Sequence, residues 1–459
     1  MIAQELVADP AEVAAARSAV SRGVLQTTGW LVLAGLAVKS AAVVKEIVVA
    51  AAYGRSDAMD AFLAAFLIPG LLINVVAESL NQALIPVIVR VRLCEGAAAA
   101  RRLFSNAMSA AGVMLAAAAV GMVLVARLLL PLIASNFSAG KIELAVRLFY
   151  FLLPCVVLGG IASVFTAVLN TAGKFGMPAL APILISITIV ISTASLRGSL
   201  GIWALAAGTV AGTALQVVLL GAATQAQGYP VRPQWHGVDA ATREVAARFW
   251  PLVLGAVVAS GGLLVDQAMA AMLPPGSVST LVFAGRFVSV SLALVAGAIS
   301  TALGPALSAL IVQRDWIACR AAVRSWTIRS ACISVPLAAI LTVGAPLILR
   351  LTLQHGEFGA HDSHAVAPVL AMSAIQIPFF VVSRVHYRFI VAMGRNDLIF
   401  YCGAINLALD IALNIILMRT MGVAGIALAT SLWTVATFGF LWFWSAKLLS
   451  ATFTDAGVI

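Results

Sequence analysis

The stretch LFYFLLPCVVLGGIASVFTAVLNTAG, residues 148–173, is followed by one lysine and then by FGMPALAPILISITIVISTASL, residues 175–196. Neither run holds an Asp, Glu, Lys or Arg, and each exceeds the roughly 20 apolar residues needed to cross a bilayer as a helix. Neither alternates apolar with polar residues, so a membrane β-barrel does not fit. Charge-free runs recur at Phe287–Gln313 and Met421–Ala446. The whole chain agrees: 62% of its residues are hydrophobic and 10% charged, with mean hydropathy +1.06. A soluble domain carries about 25% charged residues. The expected fold is an all-α polytopic membrane protein, because only closed hydrogen-bonded structures survive in lipid.

Extending this reading gives twelve spans, at roughly 24–53, 60–89, 104–134, 143–172, 175–196, 199–223, 247–273, 279–312, 326–353, 365–391, 398–418 and 422–446. Turn chemistry separates them at Gly54–Ser56, Gly173-Lys174, Pro274-Pro275-Gly276 and Gly394–Asp397. The expected organisation is a cytoplasmic segment over 1–23, an N-lobe over 24–223, a cytoplasmic linker over 224–246, a C-lobe over 247–446 and a cytoplasmic tail over 447–459. Glu5, Asp9 and Glu12 interrupt any signal-peptide core, and residues up to about Ser21 read as a surface helix.

The net charge of +10 reflects loop composition. With the N-terminus inside, Arg17, Arg22, Arg90, Arg92, Arg101, Arg102, Lys174, Arg232, Arg243, Arg248, Arg314, Arg320, Arg324, Arg329, Arg395 and Lys447 are cytoplasmic. Only Arg55, Lys141, Arg197 and Arg419 lie opposite. This asymmetry places both termini in the cytoplasm. No basic segment interleaved with aromatics is present, so nucleic acid is not an expected partner. The five cysteines form no CxxC pair and read as apolar filler or loop residues.

The halves repeat. VAESLNQALIP (76–86) aligns with VAGAISTALGP (295–305) at an offset of 219 residues. Asn136-Phe137 and Glu357-Phe358, Asn170–Gly173 and Val391–Gly394, and Gly201 and Gly422 align at 221. Six spans lie between equivalent positions, so the lobes share orientation about an axis along the membrane normal, with a substrate path between them.

Intramembrane charge marks candidate function, since a charge at the bilayer centre costs about 2.5–3.5 kcal/mol even on a lenient scale. Lys39, Lys45, Arg286, Arg384 and Arg388 lie deep in spans and suggest a hydrated cavity, an anionic ligand, or both. Glu46 follows Lys45, but i and i+1 do not face each other on a helix. Arg384 and Arg388, at i,i+4, share a face and could instead snorkel to the cytoplasm. Asn406, Asp410 and Asn414 make one polar stripe, with Asp266 and Thr430 on other spans. Asp266, Asn406, Asp410 and Thr430 suit a small cation, most readily sodium, or else interhelical hydrogen bonds. His355, Glu357, His361, Asp362 and His364 cluster in one loop without a ligand motif. No nucleophile–base set or Walker loop appears. The chain is therefore not expected to be an enzyme or to burn ATP, and no cofactor beyond a sodium ion is suggested.

Several segments carry a family resemblance: Lys45–Gly54 with Asp60-Ala61-Phe62 and Ile68-Pro69; Ala77-Glu78 and Ala83–Val87; Gly173-Lys174-Phe175 and Pro178–Leu184; Gly276–Ser279; and Gly422–Ser431. In order and spacing they resemble the MurJ/MviN family of lipid II flippases, within the multidrug/oligosaccharidyl-lipid/polysaccharide exporter superfamily. The resemblance implies alternating access around a cationic cavity that receives a pyrophosphate. The family's first-helix arginines fall on Lys39 and Lys45 and its eighth-helix arginine on Arg286, preceded by Gly285 where the family has an acid. Its second-helix arginine pair falls on Ile73 and Asn74. Its sodium site falls on Asp266, Asn406, Asp410 and Thr430. The family usually has fourteen helices, and twelve are read here, which leaves room for a related lipid-linked polysaccharide unit. The expected partners are a lipid-linked oligosaccharide and membrane lipids, in the bacterial inner membrane. A cation-coupled drug exporter, a membrane-embedded glycan polymerase or glycosyltransferase, and an inactive scaffold are the competing readings.

Overall fold

The structure, a computed structural model, describes the backbone of residues 10–455. Within that range it leaves out the side chains of residues 10–29, 31–32, 259, 294, 296–298, 300–302, 305 and 453–455. The ends of the expected N-terminal segment and tail, the side chains of Arg17 and Arg22, and part of the second repeat copy therefore lie outside the described residues.

The helices are α1 Pro10–Tyr53, α2 Asp57–Cys94, α3 Ala97–Ile133, α4 Ala139–Leu152, α5 Pro154–Thr171, α6 Gly176–Leu180, α7 Ile183–Leu200 and α8 Ile202–Ala226. After the linker come α9 Ala240–Ala271, α10 Ser277–Val312, α11 Trp316–Val343, α12 Ala345–Thr352, α13 Ala360–Ala374, α14 Gln376–Ala392, α15 Asn396–Met421 and α16 Val423–Asp455. No strand occurs among the described residues. Among the described residues, ten helices are long and apolar enough to cross a membrane, counting α4–α5, α6–α7 and α13–α14 as single spans. The expected surface helix near the N-terminus is not a separate element: α1 runs unbroken from Pro10.

Local chemistry sets the boundaries. Ser56, Ser138, Asp239 and Asp315 cap α2, α4, α9 and α11 by accepting from backbone N–H groups three residues on. Pro154 lacks an N–H and opens α5 immediately after Leu153. Gly201 (φ 56°, ψ −131°) and Gly422 (φ 59°, ψ −133°) turn the chain identically between α7 and α8 and between α15 and α16. That conformation is open essentially to glycine alone, so the repeat read from sequence is also a repeat of backbone geometry.

The same pairings build both lobes: α2 on α5 and α10 on α14, α3 on α5 and α11 on α14, α7 on α8 and α15 on α16. Lipid gives helices no hydrophobic reason to associate, so close backbone approach matters. In α8, Gly208 and Gly212 supply it. A Cβ at Gly208 would stand 2.9 Å from Cα of Ile189, and one at Gly212 would stand 2.6 Å from Cα of Ile185. Thr188 in α7 donates across this contact to the Gly208 carbonyl at 2.9 Å.

Candidate functional site: a cavity between two lobes

The two lobes enclose a cavity of about 630 Å³, walled by α1, α2, α5, α6, α7, α8 and α10. Its charged residues are Lys45, Glu46 and Arg286. Glu46 Oε1 lies 2.9 Å from Lys45 Nζ and 3.1 Å from Arg286 Nε, so one carboxylate ties the two lobes together. This corrects the expectation that neighbouring Lys45 and Glu46 cannot meet: the long lysine side chain curls back onto its neighbour. The group keeps one net positive charge. Arg286 is half exposed, and its two terminal nitrogens have no partner among the described residues. They present a free fork of the kind that binds phosphate oxygens in pairs.

The rest of the polar wall is neutral. Ser163 and Thr166 on α5, Thr209, Thr213 and Gln216 on α8, and Asn74 and Asn81 on α2 line the same space. Ser163, Thr209 and Thr213 donate to carbonyls of their own helices, which leaves their oxygens as acceptors towards the cavity. Apart from Asn74, which the family resemblance singled out, sequence reading missed these residues, although Thr209, Thr213 and Gln216 form a legible polar stripe at i, i+4, i+7.

Lys39, Arg384 and Arg388 are placed elsewhere. Six residues rotate a helix by about 600°, so Lys39 falls roughly 120° around α1 from Lys45, exposed and outside the cavity wall. Arg384 lies over the rings of Phe380 (4.3 Å) and Tyr387 (5.7 Å). Arg388 keeps a buried Nε without a partner. Both sit on α14, which packs among α10, α11 and α16.

Two inter-lobe contacts bracket the cavity along α2. At the end away from the linker, the buried Asp60 carboxylate accepts the backbone N–H groups of Gly276 (2.6 Å) and Ser279 (2.9 Å). Lys141 stands 3.0 Å from Asp60 and 2.7 Å from Asp57. Around this core, Arg55 donates to Thr280 Oγ1 at 2.6 Å and faces Asp362 at 3.6 Å. Arg197 meets Glu357 at 2.8 Å, and Glu357 N–H donates to the Ala51 carbonyl at 2.9 Å. Glu357 and Asp362, read from sequence as loop residues beside three histidines, thus belong to this seal. No group of His, Cys, Asp and Glu able to hold a metal occurs among the described residues. At the linker end, α9 packs along α2, with Val245 and Phe249 in one buried cluster with Val87 and Val91 and Arg90 2.6 Å from Glu244. Sequence reading had counted Arg55 and Lys141 only as loop charges, and Asp60 only within a resembling motif.

A second polar cluster lies inside the C-lobe. Asn414 Nδ2 donates to Asp266 (2.7 Å) and Asp410 (3.2 Å), and Thr430 donates to Asp266 at 3.0 Å. Asp266, Asp410 and Thr430 therefore come together, joined by Asn414 rather than Asn406. Asn406 contacts Cys402 Sγ at 3.7 Å instead. Asp410 Oδ2 and Asn414 Oδ1 are buried without donors. Gly262 makes room for this carboxylate, since a Cβ there would lie 3.2 Å from Asp410 Oδ2.

Comparison with known proteins agrees with this architecture. The family model described as lipid II flippase MurJ matches residues 49–458. The "Probable lipid II flippase MurJ" of Synechocystis is 26% identical over 89% of this chain and 79% of its own. The "Lipid II flippase MurJ" of Burkholderia cenocepacia is 27% identical over 77% of this chain and 70% of its own. Among solved structures, a lipid II flippase MurJ in an inward closed conformation superposes with a TM-score of 0.78 at 23% identity, covering 91% and 87% of the two chains. An inward-facing multidrug transporter of the MATE family also reaches 0.78, at 13% identity over 92% and 98%. These structural likenesses speak to the fold, and the match of the family model over most of the sequence speaks to descent: the chain belongs to the lipid II flippase MurJ family, a family of membrane transporters and not of enzymes.

Proposed function

We propose that this protein flips a polyprenyl-pyrophosphate-linked glycan, lipid II or a related lipid-linked polysaccharide unit, across the bacterial inner membrane by alternating access. The observation that carries this reading is the Lys45–Glu46–Arg286 group, contributed by both lobes to a cavity otherwise lined by apolar and neutral polar side chains. A pyrophosphate fits its net positive charge and the open fork of Arg286, and the hydroxyl and amide wall of α5 and α8 fits sugar hydroxyls. Orientation follows loop charge: the linker end is cytoplasmic, with both termini, and the Asp60 contact is the extracytoplasmic seal. The Asp266, Asp410, Asn414 and Thr430 cluster is proposed to take a sodium ion. Its support is two uncompensated carboxylates and two buried acceptor oxygens without donors, hard ligands suited to such a cation. The drug-exporter reading shares the fold but meets a cationic cavity, the wrong sign for the cations such exporters commonly carry. The test is depletion of the protein, with identification of the lipid-linked precursor retained on the cytoplasmic leaflet. Complementation by wild-type protein and its failure with Lys45→Ala or Arg286→Ala support the proposal. No accumulating polyprenyl-linked species would overturn it.

A further inference from the structure

The outer face of the N-lobe carries a second concavity, separate from the central cavity and without a role in the transport reading. It has a volume of about 660 Å³ and lies between α3, α5 and α8, with Gly112, Val113, Phe165 and Val218 in its wall. Val113 and Val218 are strongly exposed. Along α8 the groove extends from Val217 to Gln225, about 12 Å at 1.5 Å per residue. One leaflet of hydrocarbon is about 15 Å deep. The volume falls within the range of small-molecule sites.

The linker end of this groove is capped by a polar recess that shares Gln225 with it and holds Arg101, Arg102 and His236. No acidic side chain lines the recess. Neither arginine has an ion-pair or hydrogen-bond partner among the described residues, whereas nearby Arg90 and Arg248 are both paired with Glu244. The recess is also preformed. Buried Ser105 and Asn106 on α3 clamp the linker, with Ser105 Oγ bonded to both the N–H and carbonyl of Gln234. Asn106 accepts from His236 N–H and donates to the Gly237 carbonyl. Gly228 turns with φ 78°, and a Cβ there would lie 3.2 Å from an Arg101 terminal nitrogen. Trp235, exposed beside the recess, has the amphipathic character favoured at the headgroup level.

We infer that this groove and its arginine cap bind an anionic glycerophospholipid of the cytoplasmic leaflet, its phosphate against Arg101 and Arg102 and one acyl chain along α3 and α8. An apolar groove alone would be ordinary lipid-facing surface. What distinguishes it is two unpaired guanidinium groups at the linker end of the groove, beside a clamped linker, complementary in charge to a phosphate and continuous with an acyl-sized channel.

The experiment is native mass spectrometry of the purified full-length protein titrated with phosphatidylglycerol, phosphatidylcholine of the same chains, or undecaprenyl phosphate. Wild-type protein is expected to retain one phosphatidylglycerol in clear preference to phosphatidylcholine. Each basic residue at the membrane surface strengthens anionic-lipid binding about fivefold, so Arg101→Gln with Arg102→Gln should weaken phosphatidylglycerol binding by about thirtyfold and abolish the preference. Gly112→Leu points into open space and favours helix. It should weaken both phospholipids without lowering the thermal unfolding temperature. Equal binding of both phospholipids to wild-type protein, or a preference that survives the double substitution, overturns the inference. Tighter binding of undecaprenyl phosphate than of phosphatidylglycerol at this site, lost in the double variant, also overturns it by assigning the groove to the carrier lipid.

Discussion

Asp60→Asn is the sharpest perturbation of the seal between the lobes. The native carboxylate, 1% exposed, accepts two backbone N–H groups of the opposite lobe and pairs with Lys141, whose side chain is 5% exposed. Asparagine keeps the volume but has one acceptor oxygen. One of the two N–H groups is left unpaired, and Lys141 keeps only Asp57, which is largely exposed. Hydrogen bonds to a charged group contribute about 1.5–3 kcal/mol, and breaking a buried ion pair costs about 3–5 kcal/mol. These terms overlap, and only the part lost on separation of the lobes biases the equilibrium. We therefore assign about 3 kcal/mol, a shift of roughly 150-fold towards the open seal. The assay is labelling of Val282→Cys, on the cavity wall, by a membrane-impermeant maleimide added outside. The exposed Cys94 and Cys332 are first replaced by serine. Asp60→Asn should raise the labelling rate at least about tenfold. A rate within about twofold of the parent, in protein that folds normally, would refute the reasoning.

In transport assays on reconstituted protein, Lys45→Ala and Arg286→Ala should abolish flipping while Lys45→Arg retains it, since a phosphate needs a cation and tolerates the wider fork; activity in the double alanine variant would remove the pyrophosphate site. Asp410→Asn should eliminate any sodium stimulation of transport, whereas Asn406→Ala should preserve it, and the reverse pattern would return the site to Asn406. Glu244→Gln removes a half-exposed pair with Arg90 worth at most about 1 kcal/mol, so it should change Val282→Cys labelling less than about fivefold. Reporter fusions after Gly140 and Gly359 should report the extracytoplasmic side, and a cytoplasmic signal at both would invert the assigned orientation.

The fold was legible because its determinants are one-dimensional. Charge-free runs longer than a bilayer, turns at Gly173-Lys174 and Gly394–Asp397, and paired glycines 221 residues apart need no three-dimensional information. The site was legible only in part. Asp266, Asp410, Lys45 and Arg286 stand out because a charge in an apolar span is costly wherever it points. Their partners depend on which helix faces meet. Sequence spacing separated Lys45 from Glu46, yet a flexible side chain closes that gap at 2.9 Å. The i,i+4 stripe of α15 offered Asn406 and Asn414 on either side of Asp410, and only packing against α9 selects Asn414. Asp60 looked unremarkable beside a loop. Its importance comes from the first turn of α10, a segment more than two hundred residues away.

The two seals differ in the physics that holds them. The linker-end contact is an apolar surface, Val245 and Phe249 against α2, with an ion pair that water already screens. Its strength changes smoothly as area is exposed. The Asp60 contact is a buried carboxylate that takes two backbone donors from the opposite lobe, and a small separation strips it of both together, leaving only Lys141 of its own lobe. Such a contact is either made or broken, because a buried charge half-deprived of its partners is the least stable arrangement of all. Asp60 lies thirty residues from Arg90 on α2, about 45 Å along one helix, with the cavity wall between them. One helix therefore carries both inter-lobe contacts and, between them, part of the wall of the cavity that holds Lys45 and Arg286. With Glu46 joining those cations across the lobes, an arriving anion competes for the same charges that hold the cavity together. Under the proposed function, substrate binding and lobe separation are coupled through Glu46.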